Sequence, residues 1–189
     1  RLYEAFRHIK RNKGAAGIDG QSLGAFEANL EVELSCLLLE LKEKRYRAQP
    51  VRRVAIAKDD GGERLLGIPT VRDRVVQQAL RRIIEPIFEP DFHPSSYGYR
   101  PGRSGHHAIG KAELFIRRYR RDWVVDMDLS KCFDTLNHDL IIRQFRQRIT
   151  DGSVLSLLRQ FLESGVMVGY HLEETELGSP QGGVISPLI

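Results

Sequence analysis

Cysteine is scarce in this 189-residue chain, with Cys36 and Cys132 the only two. Thiols this sparse, with no metal-ligand spacing, exclude a disulfide scaffold and are the usage expected of a reduced cytosolic protein. Long apolar runs are missing too. No stretch approaches the ~18 apolar residues of a membrane span, and none has the plan of a signal peptide. Internal repeats and low-complexity tracts are also absent. The expectation is a soluble, intracellular (cytoplasmic) protein without a membrane partner.

What is present is a globular composition. Hydrophobic residues make up 41% of the chain, enough to bury a core as one large domain or one and a fraction, and not the composition of a disordered or fibrous chain. Lys and Arg number 29 against 25 Asp and Glu, a formal net charge of +4. The excess is unevenly spread. Arginine dominates between Lys44 and Arg121, while acid gathers in Glu27–Glu43 and Glu173–Glu176. A polyanionic partner fits that balance, although net charge alone supports it weakly. Both ends read as cut. Leu2, Phe6 and Ile9 lie on one face of a helix already under way at Arg1, and another helix begins near Ser186–Ile189.

The glycine-rich basic loop from Arg11 to Gly20 has backbone N–H groups that suit a phosphate, or it is simply a turn. From Ser22 to about Lys44, Phe26, Leu30, Leu34, Leu38 and Leu41 recur at helical spacing, with Ser22 as N-cap and the leucines as core. Val51–Lys58, a turn at Asp59–Gly62, and Glu63–Pro69 read as a β-hairpin. It brings Lys58 and Arg64 together near its tip. Opposed cations are unfavourable in a sheet without an anion between them, unless both side chains splay into water. Thr70 caps a helix from Val71 to Phe88.

The segment Pro90–Pro101, rich in Pro, Ser, Gly and aromatics, reads as a structured loop, and Tyr97-Gly98-Tyr99-Arg100-Pro101-Gly102-Arg103 places rings between cations. Rings interleaved with cations suit base stacking beside phosphate, or the tyrosines plug a core edge. Ala108–Arg121 reads as a helix with Ile109, Ala112, Leu114, Phe115 and Ile116 inward. Its basic end serves the helix dipole as readily as a ligand. Asp139–Ile149 and Ser153–Ser164 read as helices. Val166–Leu172 and Thr175–Leu177 read as strands paired around an acidic turn, leading to the loop Gly178-Ser179-Pro180-Gln181-Gly182-Gly183.

The stretch from Trp123 to Asp139 concentrates the chemistry. Trp123–Leu129 alternates apolar and acidic residues, so a strand there sends Val124, Asp126 and Asp128 to one face. Neighbouring carboxylates repel unless a cation sits between them or water solvates both. Hard divalent cations prefer oxygen ligands, and Mg²⁺ is commonly held by one or two carboxylates plus substrate phosphates.

Taken together, Lys13–Gly20, the Lys58-to-Arg64 hairpin, Leu66–Arg74, Ser96–Pro101, Val125–Asp139 and Ser179–Leu188 resemble the reverse transcriptases of group II introns, the intron-encoded maturases. The resemblance covers nearly the whole chain. It implies a mixed α+β fold, the fingers and palm of a right-hand polymerase with helices packed on an antiparallel sheet. Residues 1–121 would be mainly fingers with the start of the palm, and 122–189 an incomplete palm.

By that resemblance Asp128 is the first catalytic, metal-binding aspartate, and the Leu129 carbonyl completes part of the coordination of Mg²⁺ in a two-metal site. Lys58 and Arg64 grip the incoming triphosphate, Phe133 walls the sugar 2′ position, and Gln181 contacts the nucleotide near its sugar. Ile68, Pro69, Arg100, Arg103, Pro180 and Gly182 would meet template or primer. Asp126 receives no metal role. The implied partners are an RNA template, a DNA primer, dNTP and group II intron RNA.

The chain departs from the family in one respect. The second catalytic motif, Tyr/Phe-Ala-Asp-Asp, and the thumb have no counterpart in these residues, so this stretch alone is expected not to polymerise. Sheet edge and core surface left open would favour self-association. A second reading is an RNA-binding splicing module. A third, a diversity-generating, retron or CRISPR-associated reverse transcriptase, shares Asp128 and Phe133 but fits the glycine loop and the Pro-Gln-Gly stretch less well.

Overall fold

A computed structural model describes residues 1–57, 61–179 and 182–189. Contacts divide the chain into a larger unit, Arg1–Ile83 with Lys131–Ile189, and a smaller one, Ile84–Ser130. The mixed α+β class expected from the sequence is what the chain adopts.

The larger unit starts with α1 (Leu2–Asn12), whose Ala5, Phe6 and Ile9 are buried. The helix expected over Ser22–Lys44 is two, α2 (Leu23–Ala28) and α3 (Leu30–Lys42), broken at Asn29. Ser22 caps the first as expected, its hydroxyl accepting from the Ala25 N–H at 3.1 Å. The break resets the helical phase. Phe26 stacks on Phe6 with ring centroids 5.4 Å apart, while Leu37 is fully buried and Leu38, expected in the core, is 46% exposed.

The hairpin forms as β1 (Val51–Ala57) and β2 (Glu63–Ile68), antiparallel, with Ile56 opposite Arg64. Two further short strands, β3 (Val166–Val168) and β4 (His171–Glu173), complete a four-stranded sheet in the order β2-β1-β3-β4, with β3 parallel to β1. Strand β3 turns into β4 through Gly169–Tyr170, a two-residue hairpin loop. The acidic turn expected further on is not the connection. Leu177 instead makes an isolated bridge with Asn137.

Helix α4 (Val71–Phe88) runs through Pro86. Thr70 caps it, accepting from the Asp73 N–H at 3.1 Å. Asp73 also accepts from the Tyr46 hydroxyl at 2.5 Å and the Gln49 N–H at 3.2 Å, which ties the segment after α3 onto α4. Burial pushes the Asp73 carboxyl and the Tyr46 hydroxyl above their ordinary values. The glycine-rich loop before α2 is held by its carbonyls: Arg74 donates to Ala15 and Arg52 to Ala16, each at 2.8 Å.

Later in this unit come α6 (Cys132–Thr135), α7 (His138–Arg146) and α8 (Gly152–Glu163). Asn137 caps α7 through the Leu140 N–H at 3.0 Å, and Asp151 caps α8 through the Ser153 N–H at 2.7 Å. Ile141, Ile142 and Phe145 of α7 and Leu155, Leu158, Phe161 and Leu162 of α8 are buried. These apolar faces at helical spacing are what the sequence pattern called for.

The smaller unit holds the end of α4, a turn of 3-10 helix at Glu89–Asp91 and α5 (Gly105–Arg117). Helix α5 buries none of its residues, and Ile109, Phe115 and Ile116, expected inward, are 67%, 42% and 49% exposed. The strand expected at Trp123–Leu129 is not formed either. Residues 120–129 carry no regular secondary structure, and 121–129 are exposed throughout. A strand needs a neighbour to take its backbone hydrogen bonds, and none of the described strands pairs with this segment.

Candidate active site

A backbone contact joins α6 and the residue that ends it to the loop that follows β4: the Ser179 N–H donates to the Phe133 carbonyl and the Gly178 N–H to the Leu136 carbonyl, each at 2.7 Å. Gly178 has φ +84, and a Cβ there would lie 2.8 Å from the carbonyl oxygens of Phe133 and Asp134. Only glycine permits both that conformation and that approach. Gly182 lies close to β2 as well, since a Cβ on it would meet the Gly67 oxygen at 3.1 Å.

Between these elements lies a cleft of about 420 Å³, lined among others by Leu65 and Gly67 of β2, Phe133, Gly178 and Ser179. Phe133 is 41% exposed, so its ring is available as a wall rather than consumed by a core. The sequence-expected residues Phe133, Gly182 and the β2 hairpin are therefore brought together. Arg64 is exposed on β2 across from Ile56. Lys58, Pro180 and Gln181 lie outside the described residues. Ile68 is half-buried at the end of β2, and Pro69 is buried at its junction with α4, so the Pro69 ring serves the core.

Asp128 and Leu129 belong to the smaller unit, where both are exposed. A carboxylate and a carbonyl are hard oxygen donors, of the kind Mg²⁺ accepts beside water and phosphate. They do not close a cage: among the described residues no group of three His, Cys, Asp or Glu side chains is placed to hold a metal ion.

Arg100 and Arg103, expected at template or primer, are committed to their own loop. The Arg100 side chain is 8% exposed. It donates to both Glu89 carboxylate oxygens at 2.8 to 3.2 Å and to the carbonyls of His93, Ser96 and Glu89. Its hydrogen bonds, and then its charge, hold the Glu89 carboxyl below the ordinary glutamate value. Arg103 donates to the Pro94 carbonyl at 2.7 Å and lies over the Tyr97 ring. The cations of this segment are taken up by Glu89, by the loop's own carbonyls and by the Tyr97 ring, while Tyr99 is 78% exposed, which reassigns Arg100 from a ligand contact to the loop's internal brace.

Sequence reasoning missed two buried polar side chains at the loop. His138 Nε2 donates to the Gly178 carbonyl at 2.6 Å, and Gln77 Oε1 accepts from the Val184 N–H at 2.8 Å. His138 sat unremarked beside a helix cap, and Gln77 was hidden in the apolar periodicity of α4. A polar residue on a helix's core-facing stripe was the only available signal.

Comparison with known proteins points the same way. Residues 56–189 match the family model described as Reverse transcriptase (RNA-dependent DNA polymerase). The chain is 45% identical over 194 residues to Protein YkfC of Escherichia coli (strain K12), an alignment spanning 100% of this chain and 51% of that protein. It is 36% identical over 190 residues to the Group II intron-encoded protein LtrA of Lactococcus lactis subsp. cremoris, spanning 99% of this chain and 31% of LtrA. The chain thus spans about half or less of the length of these relatives. A chain of the Cas6-RT-Cas1--Cas2 complex superposes with a TM-score of 0.63 at 21% identity, covering 99% of this chain and 19% of that one, a likeness of fold alone. With residues 56–189, most of this chain, matched by the family model and the Phe133 cleft assembled from the expected segments, this chain belongs to the reverse transcriptase (RNA-dependent DNA polymerase) family and is related to group II intron-encoded proteins.

Proposed function

We propose that this chain is the nucleotide-binding part of an RNA-directed DNA polymerase encoded by a group II intron, copying an RNA template from a DNA primer with dNTPs and also gripping intron RNA. The observation that carries the reading is the cleft in which the half-exposed ring of Phe133 faces β2 and the Gly178–Ser179 backbone. A flat aromatic wall beside a rigid loop is suited to a sugar, where an added 2′-hydroxyl collides with the ring.

In this reading Phe133 excludes ribonucleotides, Arg64 and Lys58 neutralise the triphosphate, and Gln181 contacts the nucleotide from the loop. Ile68 and Gly182, with Pro180, lie along the route of template or primer. Asp128 and the Leu129 carbonyl are the groups that would hold Mg²⁺. When bound, such an ion neutralises phosphate oxygens and activates the attacking hydroxyl. This assignment divides the chain into mainly fingers with the start of the palm up to residue 121, and an incomplete palm from residue 122.

The test is primer extension by the full-length protein on an RNA template. Extension with dNTPs is expected, and Asp128→Asn is expected to abolish it while leaving the affinity for template–primer within about threefold. Full activity in Asp128→Asn would remove this residue from the reaction.

A further inference from the structure

The loop from Gly178 to Val184 is gripped at each end by a buried polar side chain. At the near end the Gly178 carbonyl accepts from His138 Nε2 at 2.6 Å. At the far end the Val184 N–H donates to Gln77 Oε1 at 2.8 Å, and Arg81, one turn further along α4, reaches the Val184 carbonyl at 3.4 Å. Gln77 and His138 are each 5% exposed. A buried amide or imidazole is destabilising without a partner, so the identity of that partner tells what the side chain is for. Neither of these bonds caps a helix or joins strands. Both go to the backbone of one loop, on either side of Pro180-Gln181-Gly182, and Gly182 itself is pressed against Gly67 of β2.

We propose that Gln77 and His138 are positioning residues for the nucleotide site, fixing Val184 and Gly178 so that the loop side of the Phe133 cleft meets an incoming nucleoside triphosphate in one geometry. The proposal rests on the nucleotide-binding reading given above. Neither residue touches the substrate: Gln77 acts through Val184, and His138 through Gly178. Holding the loop by its backbone removes the ordering that nucleotide binding would otherwise have to impose, and the benefit falls on nucleotide affinity rather than on the chemical step.

The test is steady-state primer extension by the full-length protein with one dNTP varied. Gln77→Leu is expected to raise the dNTP KM about tenfold, with kcat and template–primer affinity each within about threefold. Gln77→Glu, which keeps an acceptor oxygen for the Val184 N–H, is expected to recover most of the KM. His138→Phe is expected to behave as Gln77→Leu does. KM does not depend on the active fraction, so a partly folded preparation still reports, and Gln77→Met, close in volume, replaces a Leu variant that does not fold.

The decisive comparison is made in a Gln181→Ala background. If Gln77 works through the loop, Gln77→Leu adds less than about twofold there, because the contact it positions is already gone. An unchanged KM in Gln77→Leu, an equal rise in both backgrounds, or no recovery in Gln77→Glu overturns the proposal. A wild-type full-length protein that extends no primer overturns instead the polymerase reading beneath it.

Discussion

Ser179 and Phe133 are joined backbone to backbone, the N–H of the first donating to the carbonyl of the second at 2.7 Å. The aromatic wall of the cleft and the loop opposite it are therefore one mechanical piece. A shift in the loop is transmitted to the turn that carries the ring, with no side chain as intermediary.

That linkage makes Gly178 a sensitive position of the loop. Gly178→Ala places a Cβ 2.8 Å from the carbonyl oxygens of Phe133 and Asp134 at a φ of +84. The strained backbone alone is expected to destabilise the larger unit by about 2 kcal/mol. Thermal denaturation would show it, and primer extension by the full-length variant should fall with it. A melting curve superimposable on wild type would show that the loop is free to move away from Phe133.

Phe133 itself is expected to govern sugar choice. Because the ring is 41% exposed, its removal opens the cleft more than it disturbs a core. Phe133→Ala in the full-length protein is expected to lower discrimination against ribonucleotides by about tenfold to a hundredfold, the range available to a pocket that rejects a hydroxyl by shape. Competing dNTP and rNTP in one extension reaction measures the ratio. An unchanged ratio would place the sugar elsewhere.

The Tyr46–Asp73 hydrogen bond is expected to matter to folding rather than to chemistry. Both residues are buried, at 3% and 2% exposure. Tyr46→Phe keeps the ring but leaves one carboxylate oxygen without its 2.5 Å donor, at a cost of about 1–3 kcal/mol. Urea denaturation at neutral pH checks it. Since burial raises the Asp73 carboxyl, this group's contribution is fully present below its unfolded-state value and is lost as pH rises through the folded one. Acidification, which protonates Asp73 and removes its need for a donor, is therefore expected to narrow the gap between the variant and wild type; an unchanged gap would show that the Tyr46 bond does not depend on the carboxylate's charge.

Much of this organisation was legible in the sequence because it is local. The β1–β2 hairpin, α4 with its Thr70 cap, and the apolar faces of α7 and α8 depend on periodicity and on residues a few positions away. What failed depended on distant partners. Alternation at Trp123–Leu129 has the right period for a strand, but period does not supply the neighbouring strand that would take its hydrogen bonds. Asn29 breaks a run of helical spacing that continues on either side of it. The ring-and-cation alternation of Tyr97–Arg103 reads the same whether the cations face a ligand or, as here, Glu89 and the loop's own carbonyls. Gln77 and His138 were invisible as site residues because their partners lie 107 and 40 residues away in the chain, respectively.

Arg100 and Glu89 give the smaller unit an acid-sensitive brace. Arg100 holds the Glu89 carboxyl below its ordinary value, so the stabilisation is present above the unfolded-state glutamate value and disappears as pH falls through the lower folded value. Amide hydrogen exchange across residues 93–103 is expected to be slow at neutral pH and to accelerate on acidification. Exchange in α7 and α8, which do not include this pair, should respond far less. Arg100→Lys should produce the fast-exchanging loop already at neutral pH, because a single ammonium cannot span both carboxylate oxygens and the His93, Ser96 and Glu89 carbonyls that the guanidinium reaches. If Arg100→Lys left the loop as protected as wild type, the guanidinium would be dispensable to the fold and its assignment to template or primer would stand again.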